Sequence, residues 1–417
     1  MKMKRSTLAL ALAAAFATTP VFAAPTLEEK LQILQQEIDQ IKAQLSNHKD
    51  AKPSPAVADS ATSGESWSKR FESSSVNTVV GGYGEAIYNN FRDGSKKDQA
   101  DLRRFVLFFG HKFNDRLRFN SELEVEHAFI EGGAGGEVAM EQAYLEYGLS
   151  EKVNLRAGLM VVPLGILNET HEPPTFFGVE RNQVESLIIP STWRELGLAL
   201  QGEATPGLQY NVGVSTGLDS GKFDAPQKGL REARTAGSEA AANDLAVFGA
   251  VNYRGIPGLL LGTGIFSGNT GQDGASNAAL KGVGARLTLW DAHVKYAVGN
   301  LDLQALYARG TLGDANKISL ATGKVAPKSL YGWYAQAGYH VWKQGDMDLA
   351  PFVRYERYNT QQEVAAGFAA DPLNNERVTT VGLNFKLHPQ VVFKADYQKF
   401  NTDRTKDRFN LGVGYMF

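Results

Sequence analysis

The chain reads VNLRAGLMV over residues 153–161, VPLGILNETHEPPTFFGVERNQVESLIIPSTW over 162–193, and ELGLALQGE over 195–203. The outer two stretches alternate apolar with polar or small residues, the period of a β-strand. The middle stretch holds no sustained period. Structureless connections of that length are uncommon in compact domains and usually functional. Two strands therefore flank one very long loop.

Working outward, the same alternation recurs. Strands are expected near 76–91, 101–113, 116–129, 138–149, 153–162, 194–204, 207–218, 244–254, 258–267, 284–298, 301–312, 330–342, 347–358, 376–388, 390–400 and 407–417. Their connections alternate in length. Short turns fall at Asn114-Asp115, Ser150-Glu151, Thr205-Pro206, Gly255 to Pro257, Gly299-Asn300, Lys343 to Asp346 and His388-Pro389. Longer polar segments occupy 92–100, 130–137, 163–193, 219–243, 268–283, 313–329, 359–375 and 401–406. Short turns on one rim and long loops on the other are the pattern of an outer-membrane barrel, with the long loops outside the cell. The count, about sixteen, is even, as single-chain bacterial barrels require. The segment at 163–193 is then the third long loop, and in such a pore its natural place is the lumen.

The faces agree. Leu117, Phe119, Leu123 and Val125 share one side of the third strand; Arg116, Arg118, Asn120, Glu122, Glu124 and Glu126 share the other. Trp290, Ala292, Val294, Tyr296 and Val298 oppose Asp291, His293 and Lys295. A membrane barrel points its charged face at the lumen and its apolar face at lipid. The last strand, Phe409, Leu411, Val413, Tyr415 and Phe417 on one face, ends on an aromatic residue and resembles the signal read by the barrel-assembly machinery.

Composition sets the bounds. The 417 residues include 43 glycines, no cysteine and 10% aromatics, with a formal charge of −2. That balance gives no basic footprint for nucleic acid. A mean hydropathy of −0.26 is middling, as lipid-facing and lumen-facing residues average out. Lys2, Lys4 and Arg5 followed by Leu8 to Ala17 and Val21-Phe22-Ala23 read as a signal peptide over 1–23. Leu27, Leu31, Leu34, Ile38, Ile41 and Leu45 form a heptad seam, so 24–48 reads as a short periplasmic coiled-coil helix, with a single amphipathic helix as the alternative. Residues 49–75 read as a linker, and 76–417 as an all-β, antiparallel transmembrane barrel.

At this point the chain resembles the phosphate-selective porin O and P family. The resemblance rests on GLMVVPLGILNET through RELGLALQGE, on LWDAHVKYAVGNLDLQALYARGT (289–311), and on the strand punctuation. It implies a sixteen-stranded outer-membrane channel in lipid, a homotrimer, a third loop folded into the pore, and in phosphate-specific members arginine-rich walls. The chain departs from that last pattern: between Pro163 and Trp193 the only basic residue of Lys or Arg type is Arg181, against Glu169, Glu172, Glu180 and Glu185.

The expected activity is passive diffusion of small hydrophilic solutes or inorganic anions, with an anion or phosphate preference left open. The expected constriction residues are Glu169, His171, Glu172, Glu180, Arg181 and Glu185. The expected lumen wall carries Arg116, Arg118, Glu122, Glu124, Arg156, Lys295, Arg354 and Lys394, with Lys386, Arg408, Glu126, Glu195, Glu356 and Asp396 as further candidates. Some loop charges are expected to pin the loop to the wall, for example through Arg156 or Arg354, and Phe176 and Phe177 to wedge it there. His171 beside Glu169 and Glu172 is weak ground for a metal site, so neither metal nor cofactor is expected. No serine sits in a nucleophile elbow, so catalysis by Asp291 and His293 is not expected. The alternatives are a cell-envelope tether or adhesin, using the coiled coil and outer loops, and an outer-membrane barrel hydrolase.

Overall fold

The computed structural model describes residues 76–129 and 135–417. The expected signal peptide, coiled-coil segment and linker lie outside those residues. Seventeen strands run in chain order: β1 (Thr78–Phe91), β2 (Gln99–Lys112), β3 (Leu117–Glu126), β4 (Glu137–Ser150), β5 (Val153–Val161), β6 (Arg194–Thr205), β7 (Leu208–Thr216), β8 (Leu245–Tyr253), β9 (Leu259–Gly268), β10 (Leu287–Val298), β11 (Leu301–Leu312), β12 (Pro327–Tyr339), β13 (Trp342–Gln344), β14 (Met347–Val364), β15 (Asn375–His388), β16 (Val391–Phe400) and β17 (Arg408–Met416). The short β13 continues β12 along the same edge of β14, so the wall has sixteen staves. Every neighbouring pair is antiparallel, and β1 pairs with both β2 and β17. The sheet closes on itself, which leaves no unpaired edge.

Period-two patterning makes this wall stable in lipid. Val80, Leu198, Leu261 and Val381 are more than half exposed on the outer face, while Asp291, Glu356, Thr380 and Asn410 are buried on the inner one. Exposed Phe113, Tyr339, Trp342 and Phe417 lie near the short-turn rim, and exposed Tyr88, Phe129 and Phe409 near the long-loop rim. These are the two aromatic girdles of an outer-membrane barrel.

All sixteen expected staves are present, with shifted ends. β3 stops at Glu126, because His127 and Ala128 take positive φ. β14 runs on to Val364, six residues beyond the expected 358. The long loops, L1 to L8, are 92–98, 127–136, 162–193, 217–244, 269–286, 313–326, 365–374 and 401–407. L6 holds one helix, α1 (Ala315–Thr322).

Two places break the alternation. Glu85 pairs with Arg104 but Ala86 pairs with Leu102, so Arg103 is an extra residue in β2. Likewise Glu122 pairs with Gln142 but Leu123 pairs with Met140, leaving Glu141 extra in β4. A bulge lets two successive side chains point the same way. Arg103 reaches Glu180 of L3 while Arg104 reaches Glu85 and Glu124, so both arginines face inward.

Candidate functional site

L3 turns into the barrel, and its irregular backbone explains how it is held. Amides outside regular structure need partners when buried, and here wall carboxylates supply them. The Gly165 amide donates to Asp291 Oδ2 at 3.1 Å, Val179 to Asp396 Oδ2 at 2.7 Å, and Gln183 to Glu356 Oε2 at 2.6 Å. Two carbonyls are held as well: Lys394 Nζ donates to Gly178 O at 2.8 Å, and Asn384 Nδ2 to Phe177 O at 3.1 Å. One expected loop-to-wall ion pair forms, Glu180 with Arg103, and wall acids also grip loop amides, while Arg354 donates to Glu356 and Arg156 to Glu146.

Shape completes the anchoring. Glycines on the inner face leave slots that loop side chains fill. A Cβ on Gly338 of β12 would lie 2.4 Å from the ring of Phe177, and one on Gly414 of β17 would lie 2.3 Å from Pro173. Phe177 also stacks on Phe352 of β14, at a centroid distance of 5.5 Å. Phe176 lies under the Lys394 ammonium, 3.6 Å from the ring centroid. Both phenylalanines thus sit where a wedge is expected.

Inside the loop, Glu185 is a staple. Its Oε1 accepts from the amides of Ile166 at 2.5 Å and Leu167 at 2.8 Å. Its Oε2 accepts from Asn182 Nδ2 at 2.9 Å and Tyr334 Oη at 2.7 Å. It is 1% exposed, so it does not face permeating solutes. Burying a carboxylate requires this many donors.

One side of the interior is apolar, which alternation alone does not foresee. Leu164, Ile166, Val184, Ile188 and Trp193 of L3 pack with Leu218 and Leu230 of L4, Leu280 of L5 and Ile318 of α1. The wall residues in this cluster include Phe248, Phe266, Leu289 and Leu330, on β8 to β12. The loops thus form a plug rooted on that side, and much of the buried charge sits on β1 to β4 and β14 to β16.

At the edge of the plug, arginines gather. Among the described residues, Arg181 of L3 donates only to the His171 carbonyl, at 3.3 Å. Arg231 of L4 donates to Ser191 Oγ at 3.2 Å, and Arg234 to Ser191 O at 3.0 Å. Arg194 opens β6, and its buried Nε has no partner. None of these four forms an ion pair among the described residues, and yet they are neighbours. Burial and then Arg231 and Arg194 push Arg234 down to about 9; burial and then Arg181 lower Arg231. Burial and then Arg104 lower Arg181. Burial is the larger cause in each case, and crowding of like charge adds to it.

The remaining expected residues separate clearly. Glu169 is exposed, and Glu180 pairs with Arg103 and accepts from Asn89. His171 and Glu172 are buried against the wall. Arg116 is exposed in the short turn before β3 and does not line the lumen, because that strand begins one residue later. Arg118 and Arg156 converge on Glu146, and Gln201 donates to the same carboxylate at 2.6 Å. Glu122 accepts from Gln142, Glu124 from Arg104, and half-buried Lys295 lies near Asp302.

A protein-family model described as "Phosphate-selective porin O and P" matches residues 81–410. The chain belongs to this family. An uncharacterized protein of Aquifex aeolicus is 35% identical over 355 residues, 81% of this chain and 79% of that one. Among solved structures, Salmonella typhi OmpF has a TM-score of 0.59 at 16% identity, over 82% of this chain and 98% of its own. The DcaP channel of Acinetobacter baumannii scores 0.52 at 14%, over 82% and 97%, and an anion-selective porin from Comamonas acidovorans 0.50 at 13%, over 82% and 99%. This porin is therefore an outer-membrane channel of a Gram-negative bacterium. The crowded arginines come from β6, L3 and L4 together, and only Arg181 is among the expected constriction residues.

Proposed function

We propose that this porin passes small inorganic anions by passive diffusion and draws them with the guanidinium groups of Arg181, Arg194, Arg231 and Arg234. The supporting observation is that these four cations crowd together with no carboxylate in ion-pair contact among the described residues. Elsewhere several inner arginines are paired: Arg104 meets Glu85 and Glu124, and Arg118 and Arg156 meet Glu146. A net positive field in a low-dielectric passage raises local anion concentration, and guanidinium forks suit oxyanions such as phosphate. Conduction needs the ion to leave as well as enter, so binding at the cluster is shallow.

The test is chloride current through single channels while phosphate is added. Phosphate should reduce the current in the native protein, and Arg231→Ala with Arg234→Ala should relieve that block. Block of equal strength in the double variant would remove the cluster from the mechanism. The reading also carries export by residues 1–23, a coiled coil over 24–48, a linker over 49–75, assembly through the C-terminal strand by the barrel-assembly machinery, a homotrimer, and no catalytic step.

A further inference from the structure

Where L3 crosses β3 and β4, three side chains meet that neither the anion pathway nor the loop anchors use. His171 Nε2 lies 3.5 Å from Glu141 Oε2 and 3.9 Å from Glu122 Oε2. One ligand atom from each residue falls within 4.8 Å of the other two. All three residues are buried, His171 at 4% exposure and Glu141 at 0%. His171 Nε2 is aimed between the carboxylates and makes no hydrogen bond, and Glu141 Oε1 has no partner either. Buried polar atoms without partners are rare and call for an explanation.

We propose that Glu122, Glu141 and His171 form a binding site for a divalent transition cation of the zinc type, which ties L3 to the barrel wall. The tautomer fits. His171 Nδ1 lies 3.0 Å from the Asn168 carbonyl, which can only accept, so Nδ1 carries a hydrogen and leaves the Nε2 lone pair for a metal. That is the outer-shell arrangement of a metal-bound imidazole. The carboxylates are oriented in the same way: Tyr83 Oη donates to Glu141 Oε2 at 2.9 Å, and Gln142 Nε2 to Glu122 Oε2 at 3.0 Å.

The spacing fits as well. Ligands about 2.1 Å from a tetrahedral zinc lie about 3.4 Å apart. The two edges from His171 are within about half an ångström of that value. Charge points the same way. Glu85, Glu122, Glu124, Glu141 and Glu172 lie around this spot, against the guanidinium groups of Arg104 and Arg181. Carboxyl groups outnumber guanidinium groups here, which favours a bound cation. One imidazole nitrogen with carboxylate oxygens suits zinc and its neighbours better than magnesium or calcium, which favour all-oxygen sites. A proton on Nε2 is the rival occupant of the same lone pair.

The experiment uses the full-length, tag-free protein in detergent, stripped with chelator, dialysed against zinc and analysed for metal per chain. Cobalt is then substituted and its visible absorption recorded. The expected result is one zinc per chain and the intense ligand-field bands of a tetrahedral nitrogen–oxygen site. His171→Ala should lower zinc affinity by more than about 100-fold, since loss of a direct ligand exceeds loss of an outer-shell partner, with the barrel still heat-modifiable on gels. Glu141→Gln serves if the histidine variant fails to assemble. Native protein that retains no zinc overturns the proposal. So does a pale octahedral cobalt spectrum, or a folded variant that holds as much zinc as the native chain.

Discussion

Replacing Glu185 with alanine should free L3 without disturbing the barrel. Four donors lose their acceptor: the amides of Ile166 and Leu167, Asn182 Nδ2 and Tyr334 Oη. A buried donor left without a partner costs roughly 1–3 kcal/mol. The two amides alone give about 2–6 kcal/mol, and water entering the gap reduces this towards about 3 kcal/mol. At about 1.4 kcal/mol per tenfold, the loop should open roughly 100-fold more often. Glu185→Gln should do less. Its carbonyl oxygen still serves the two amides, although its NH₂ faces Tyr334 Oη and Asn182 Nδ2, and Asn182 cannot flip without losing the bond its Oδ1 accepts from the Glu185 amide. Hydrogen exchange of peptides spanning 162–170 reads this directly, and open-channel current noise reads its effect on the pore. The expected order of exchange rates is alanine, then glutamine, then native. Unchanged protection of Ile166 and Leu167 in the alanine variant would refute the staple.

Other outcomes follow from the same geometry. Gly338→Leu should expel the Phe177 ring from its slot, since even a Cβ there would lie 2.4 Å from it, and raise current fluctuations at unchanged barrel stability; fluctuations like those of the native channel would contradict the slot. Val381→Arg, on the lipid face of β15, should destabilise the barrel by about 2–4 kcal/mol in denaturant titration; a neutral result would turn that face away from lipid. Arg231→Ala with Arg234→Ala should move the reversal potential towards the cation side, whereas Arg118→Ala, whose charge already meets Glu146, should move it less. Equal shifts would mean that position along the lumen, not pairing, sets the field.

The wall was legible because each stave repeats one rule. Residues 117–125 and 290–298 place apolar and polar side chains on opposite faces without reference to any other part of the chain. The bulges left a trace too. Arg103-Arg104 and Glu141-Gln142 put two polar residues side by side where alternation allows one, and that break marks an inserted residue. What could not be read was convergence. Nothing local to Arg194, Arg231 or Arg234 says that L4 folds back onto the end of L3. Nor does the sequence distinguish Glu169, which is exposed, from Glu185, which four donors surround. The apolar plug was hidden for the same reason: Leu164, Leu218, Leu280 and Ile318 each sit in a different loop and become a core only together.

The most direct test is the sign of the reversal potential of the purified native protein in a planar bilayer under a potassium chloride gradient. Permeation past four guanidinium groups that form no ion pair among the described residues predicts the anion side. A potential on the cation side would mean that the inner carboxylates govern the passage, and would contradict the assignment of the arginine cluster as its selective element.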